Sequence, residues 1–256
     1  GHIWGHIRKQ YLKLLYNIQH IIATIWERQA HHSYTISSIM TKMTPTAFRK
    51  PASGGKAKQL VIILHGWGAD GPNLIDLADV FASALPDAHF IAPNAPFVCE
   101  VNPYGFQWFS LMDRQPQHML DGARKAVDIL NGFIDEQLAE LSLDNSQLAL
   151  VGFSQGTMTA LHLALRRIPQ MAAVVGFSGA LVGAEVLAKE ITARPPICLI
   201  HGNMDDVVPY ASLAHATDTL KNHGCSVTPR TRPFLGHSID MEGMAIGAEF
   251  LASELI

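Results

Sequence analysis

Short apolar runs alternate with longer amphipathic stretches from about residue 60 to the C-terminus. Residues 60–64 (Leu60, Val61, Ile62, Ile63, Leu64) are apolar on both faces, as a strand inside a parallel sheet is. Residues 89–92, 148–151, 172–177 and 196–200 repeat that pattern. Helical periods lie between them. In residues 72–85, Leu74, Leu77, Ala78, Phe81 and Leu85 share one face, and Pro86 ends the run. In residues 120–141, Ala123, Val127, Leu130, Ile134, Leu138 and Leu141 form the apolar stripe. Residues 157–167, 209–222 and a last stretch to about 253 also suit helices, and residues 226–232 alternate like an edge strand. Strands alternating with helices predict an α/β fold with a mostly parallel central sheet and helices on both faces.

Two stretches depart from this rhythm. In residues 1–43, Trp4, Ile7, Tyr11, Leu14, Leu15, Ile18, Ile21, Ile22 and Ile25 recur at helical spacing. Arg8, Lys9 and Lys13 lie among them, and no acidic residue precedes Glu27. One reading is a basic amphipathic helix whose residues 1–28 touch a membrane surface or carry an address. The other is an upstream segment outside the working protein, since Met40 and Met43 stand just before the globular pattern. Polar residues interrupt the run too often for a transmembrane span. It also lacks the apolar core and cleavage site of a secretory signal, so a cytoplasmic location is expected. The reading gives two parts, 1–43 as extension and 44–256 as the α/β domain. The second departure, residues 97–118, is aromatic-rich without a period. Long loops in compact domains usually serve function. Trp108 and Phe109 there either wall a substrate site or pack the loop down.

Composition narrows the chemistry. The chain has 256 residues, 48% of them hydrophobic and 16% charged, enough for one large domain. A net charge of −3 gives no basic face for nucleic acid. Thirteen histidines are scattered, with no H-E-x-x-H or C-x-x-C, so no metal is expected. Three cysteines, at 99, 198 and 225, imply no disulfide framework.

The run 148–151 ends in Gly152, Phe153, Ser154, Gln155 and Gly156, a G-x-S-x-G between a strand and a helix. In that context the serine stands on a strained turn, where a base can reach its hydroxyl. Ser178 is a weaker match, because Ala180 stands where the turn wants glycine. The first apolar run leads into His65, Gly66, Trp67 and Gly68, a loop suited to turning a backbone N–H toward a reacting carbonyl. The run 196–200 leads into His201, Gly202, then Asp205 and Asp206, either a metal site, a solvated turn or the acid of a catalytic triad. His237 follows the last strand. Serine, aspartate, histidine is the chain order of α/β-hydrolases.

With these pieces in place, the chain resembles the carboxylesterase/phospholipase family of α/β-hydrolases, which includes acyl-protein thioesterases. The resemblance rests on Leu64 to Asp70, Ala92 to Pro96, Gln107 to Ser110, Gly152 to Gly156, His201 to Pro209, and Gly236 with His237. It covers the chain from about residue 57 onward. It implies Ser154 as nucleophile, His237 as base and Asp205 as its acid. The backbone N–H groups of Trp67 and Gln155 would bind the oxyanion. The expected activity is hydrolysis of short-to-medium acyl esters or thioesters through an acyl-enzyme, without metal or organic cofactor. Trp67, Trp108 and Phe109 are the expected substrate contacts, and His65 and His201 are read as structural. Family members often pair as dimers, so a homodimer is a further expectation. Alternatives are an acyl-protein thioesterase or, in another class, a non-catalytic binding module on the same fold.

Overall fold

The structure is a computed structural model and describes Met43 and residues 46–255. The amphipathic reading of residues 1–28 lies outside the described residues. Met43 is buried in the core, so the α/β domain includes at least this residue before the expected boundary at 44.

The strands, in chain order, are β1 (Ala47–Arg49), β2 (Gln59–Leu64), β3 (Ala88–Ala92), β4 (Phe97–Val98), β5 (Phe106–Gln107), β6 (Leu148–Phe153), β7 (Ala173–Phe177), β8 (Ile197–Gly202) and β9 (Val227–Arg232). The helices are α1 (Leu77–Phe81), α2 (Pro116–Leu141), α3 (Gln155–Ala164), α4 (Leu187–Glu190), α5 (Ala211–Asn222) and α6 (Met241–Glu254). Among the described residues, seven strands form one sheet in the order β1-β3-β2-β6-β7-β8-β9. All neighbours run parallel except β1, which pairs antiparallel to β3 at one edge. The other edge is β9, where Pro229 sits without disturbing a central ladder.

The strand alternation sorts side chains into two core layers. Leu60, Ile62, Leu64, Leu148 and Leu150 point into a layer shared with α2, α3 and α5. Val61, Ile63, Ala149 and Val151 point into the opposite layer, shared with α1 and α6. A strand fully buried on both faces needs such covers on each side, which is why β2 and β6 read as unbroken apolar runs.

Three expectations shift. The helix over 72–85 contracts to α1. Leu74, Leu77 and Ala78 donate to carbonyls three residues back, so the start of the stretch is a chain of turns. The helix expected from 120 begins at Pro116, at a first-turn position where a missing N–H does no harm. The irregular stretch 97–118 contains a small hairpin, with Phe97 opposite Gln107 and Val98 opposite Phe106. Two-residue strands carry no readable period.

Candidate active site

Strand β6 and helix α3 meet at Ser154, whose φ of 54° and ψ of −116° no relaxed L-residue prefers. Both flanking glycines are required, for different reasons. A Cβ on Gly152 would lie 2.5 Å from the Thr157 nitrogen, within the turn itself. A Cβ on Gly156 would lie 2.0 Å from the Leu64 carbonyl oxygen, on the neighbouring strand β2. The serine N–H donates to the Phe177 carbonyl at 2.9 Å, tying the turn to β7. Ser178 shares a positive φ (47°) but is buried at the end of β7, away from the cavity that Ser154 lines.

Ser154 and His237 open onto one cavity of about 440 Å³, together with Gly66 and Trp67, within the usual size of a small-molecule site. Its walls are chiefly apolar, among them Leu111, Met119, Met158 and Val208. His237 Nδ1 lies 2.8 Å from Asp205 Oδ2, and Phe153 tilts against the imidazole at 4.9 Å. Asp205 is the buried member of the aspartate pair, with a fully buried side chain, while Asp206 is exposed. Asp205 Oδ1 accepts from the N–H groups of Val207 and Val208 at 3.0 and 2.9 Å. Burial pushes the Asp205 carboxyl up. The bond from His237 and the backbone donors Val208 and Val207 push it down and prevail, so it stands below the usual carboxylate range.

A second histidine touches the same carboxylate, a contact the sequence reading missed. His201 Nε2 lies 3.1 Å from Asp205 Oδ2 and 3.0 Å from the Val208 carbonyl. A carbonyl only accepts, so Nε2 carries the hydrogen and is shared between both oxygens. The one available signal was the four-residue spacing from His201 to Asp205 at a strand end.

Histidine 65 fixes the loop on the other side of the cavity. Its Nε2 accepts from the Ala95 N–H at 2.9 Å, so Nδ1, 2.7 Å from the Gly66 carbonyl, is the donor. Burial holds its pKa below the ordinary histidine value, and the ring stays neutral. The Trp67 side chain donates to Gln107 at 2.8 Å, and Gly68 N–H bonds the Phe106 carbonyl at 2.8 Å. The Gln155 side chain accepts from Trp108 N–H at 3.0 Å and donates to the Phe109 carbonyl at 2.7 Å. The backbone N–H groups of Trp67 and Gln155 enter no turn or loop hydrogen bond among the described residues.

Two expected substrate contacts do not reach the cavity. Trp108 is fully buried and donates its indole N–H to the His65 carbonyl at 2.9 Å, and Phe109 is buried beside Gly122 of α2. Both hold the loop down. Burying an indole requires a partner for its N–H, and the His65 carbonyl supplies one that the sequence pattern does not reveal. Trp67 does line the cavity.

Residues 50–255 match the phospholipase/carboxylesterase family, and the chain belongs to that family, whose α/β-hydrolases cleave carboxylic esters and thioesters. Its relatives give finer detail. Esterase YpfH of Escherichia coli is 30% identical over 201 residues, covering 76% of this chain and 82% of its own. Acyl-protein thioesterase 1 of Candida albicans is 27% identical over 232 residues, covering 82% of this chain and 97% of its own. The crystal structure of esterase PE8 superposes with a TM-score of 0.79 at 38% identity, covering 84% of this chain and all of its own. Among the described residues no helix is long and apolar enough to cross a membrane.

Proposed function

We propose that this chain is a serine esterase of short-to-medium acyl esters or thioesters, with Ser154 as nucleophile, His237 as general base and Asp205 as the acid that orients it. The observation that carries this reading is the 2.8 Å bond from His237 to a wholly buried, ionised Asp205, in a chain whose Ser154 elbow opens on the same apolar cavity as His237. His237 takes the proton from Ser154 as the hydroxyl attacks the acyl carbonyl. Asp205 keeps the proton on His237 Nδ1, so that Nε2 is the base, and stabilises the imidazolium. The N–H groups of Trp67 and Gln155 receive the oxyanion, the second from the first turn of α3, where helix N–H groups lack partners. Water then hydrolyses the acyl-enzyme by the same path. The cavity walls accept an apolar acyl chain.

Sulfur esters are the second reading, favoured by the likeness to a protein named acyl-protein thioesterase 1. A cytoplasmic setting goes with either, since Cys99, Cys198 and Cys225 are all free. Replacing Ser154 by alanine is expected to lower p-nitrophenyl ester hydrolysis by about 10⁴-fold or more and to abolish labelling by a fluorophosphonate probe. Retained labelling of Ser154→Ala would overturn the assignment. A folded wild-type protein that no probe labels would favour a non-catalytic binding module.

A further inference from the structure

A second cavity, of about 460 Å³, adjoins the first and shares Leu74, Phe153 and His237 with it. It does not touch Ser154 or Trp67. Its walls come from two elements on one side of the sheet. Leu77 and Val80 belong to α1, and Met244 to α6, with Ile239 just before that helix. All four are half-buried rather than packed away, so the α1–α6 seam leaves apolar surface open beside the imidazole. Asp76, on its rim, is already bonded to Arg49 at 3.1 Å, and no cation other than a protonated His237 lines it.

We propose that this groove is the leaving-group subsite and takes the apolar alkyl or aryl portion of an alcohol or thiol. The inference rests on the catalytic reading above. When the tetrahedral intermediate collapses, the bond from the acyl carbon to the alcohol oxygen or thiol sulfur breaks. The proton that His237 took from Ser154 passes to that departing atom, giving the free alcohol or thiol, while the Ser154 Oγ–acyl bond stays. The departing atom must therefore face His237, not the oxyanion donors. Whatever it carries lies on the His237 side, where the groove begins. The acyl chain, fixed to Ser154, keeps the first cavity. An uncharged apolar group fits the groove, because an anionic one would meet Asp76 and find no fixed cation.

Two ester series separate the cavities. One holds butyrate constant and lengthens the alcohol from methyl to octyl; the other holds p-nitrophenol constant and lengthens the acyl chain. The wild-type kcat/KM is expected to rise with alcohol length, as added methylenes enter an apolar site, by about tenfold or more across the series. Val80→Trp and Met244→Trp fill the groove from opposite walls, and each is expected to erase that rise while the acyl-length dependence persists. A flat alcohol series in the wild type would sink the proposal. So would variants that alter the acyl series and leave the alcohol series sloping. Fluorophosphonate labelling of wild-type Ser154 tells the two readings apart, since labelled protein with a flat alcohol series fails only the groove.

Discussion

Asp205 carries more hydrogen bonds than orienting one histidine requires. Val207 and Val208 fill Oδ1, and His201 and His237 share Oδ2, close to the four acceptor positions a carboxylate offers. Each added donor spreads the negative charge and weakens its pull on His237. On the proposed catalytic reading, His201 would act through Asp205 as a positioning residue. In His201→Phe the carboxylate keeps three donors and holds a protonated His237 more firmly. The acid limb of the kcat/KM pH profile is expected to move up. His201→Gln, which retains an N–H, is expected to bring the limb back toward the wild-type position. A limb that stays put in both variants would leave His201 as packing alone. Chain position alone leaves Asp205 one of an adjacent pair, and the family resemblance picks it out. Burial separates the two, and burial depends on chain segments far away in sequence.

At the scale of elements, the strand–elbow–helix unit was legible because its demands are local. Gly152 is needed by the turn itself, and a five-residue motif exposes that need. Gly156 is needed by β2, a strand more than eighty residues earlier, whose Leu64 carbonyl passes 2.0 Å from where a Cβ would stand. Gly156→Ala would push α3 away from β2 and is expected to destabilise the fold by roughly 3 kcal/mol or more, as overpacked core sites do at their upper range; urea unfolding measures it. The hairpin β4–β5 and the burial of Trp108 and Phe109 were not legible. Aromatic loop residues look alike in sequence whether they face a cavity or the core, and the Gln155 side chain, holding both backbone groups, makes the choice here.

Across the whole molecule, acid sensitivity follows from the buried histidines His162 and His65 in an upper pH window and from Asp205 in a lower one. His162 lies on α3, all of whose residues are buried. Burial, with Arg166 adding to it, lowers its pKa to about 4. The unfolded chain takes up a proton near 6.5 that the folded chain refuses until about 4. Stability from this group is therefore complete above 6.5 and is lost as pH falls toward 4, by roughly 3 kcal/mol. Asp205 has a lowered pKa, so its contribution is present above 3.8 and is lost below it. His162→Leu is expected to make the decline between pH 6.5 and 4 shallower, leaving the part due to His65, read from urea unfolding at stepped pH, while the fall below 3.8 remains. An unchanged slope in the upper window would remove His162 as its source.

Legible in the sequence were the alternation of strands and helices, the doubly buried β2 and β6, the strained turn at Ser154 and, through the family resemblance, Asp205 and His237 following it in chain order. The elements and the turn follow from side-chain period and local sterics, which neighbours along the chain impose. Only the tertiary structure brings Asp205 to His237, adds His201 to them, turns Trp108 and Phe109 inward and opens a groove between α1 and α6. Each of these depends on which distant segments pack together, and contact and burial across the fold leave no period in the chain.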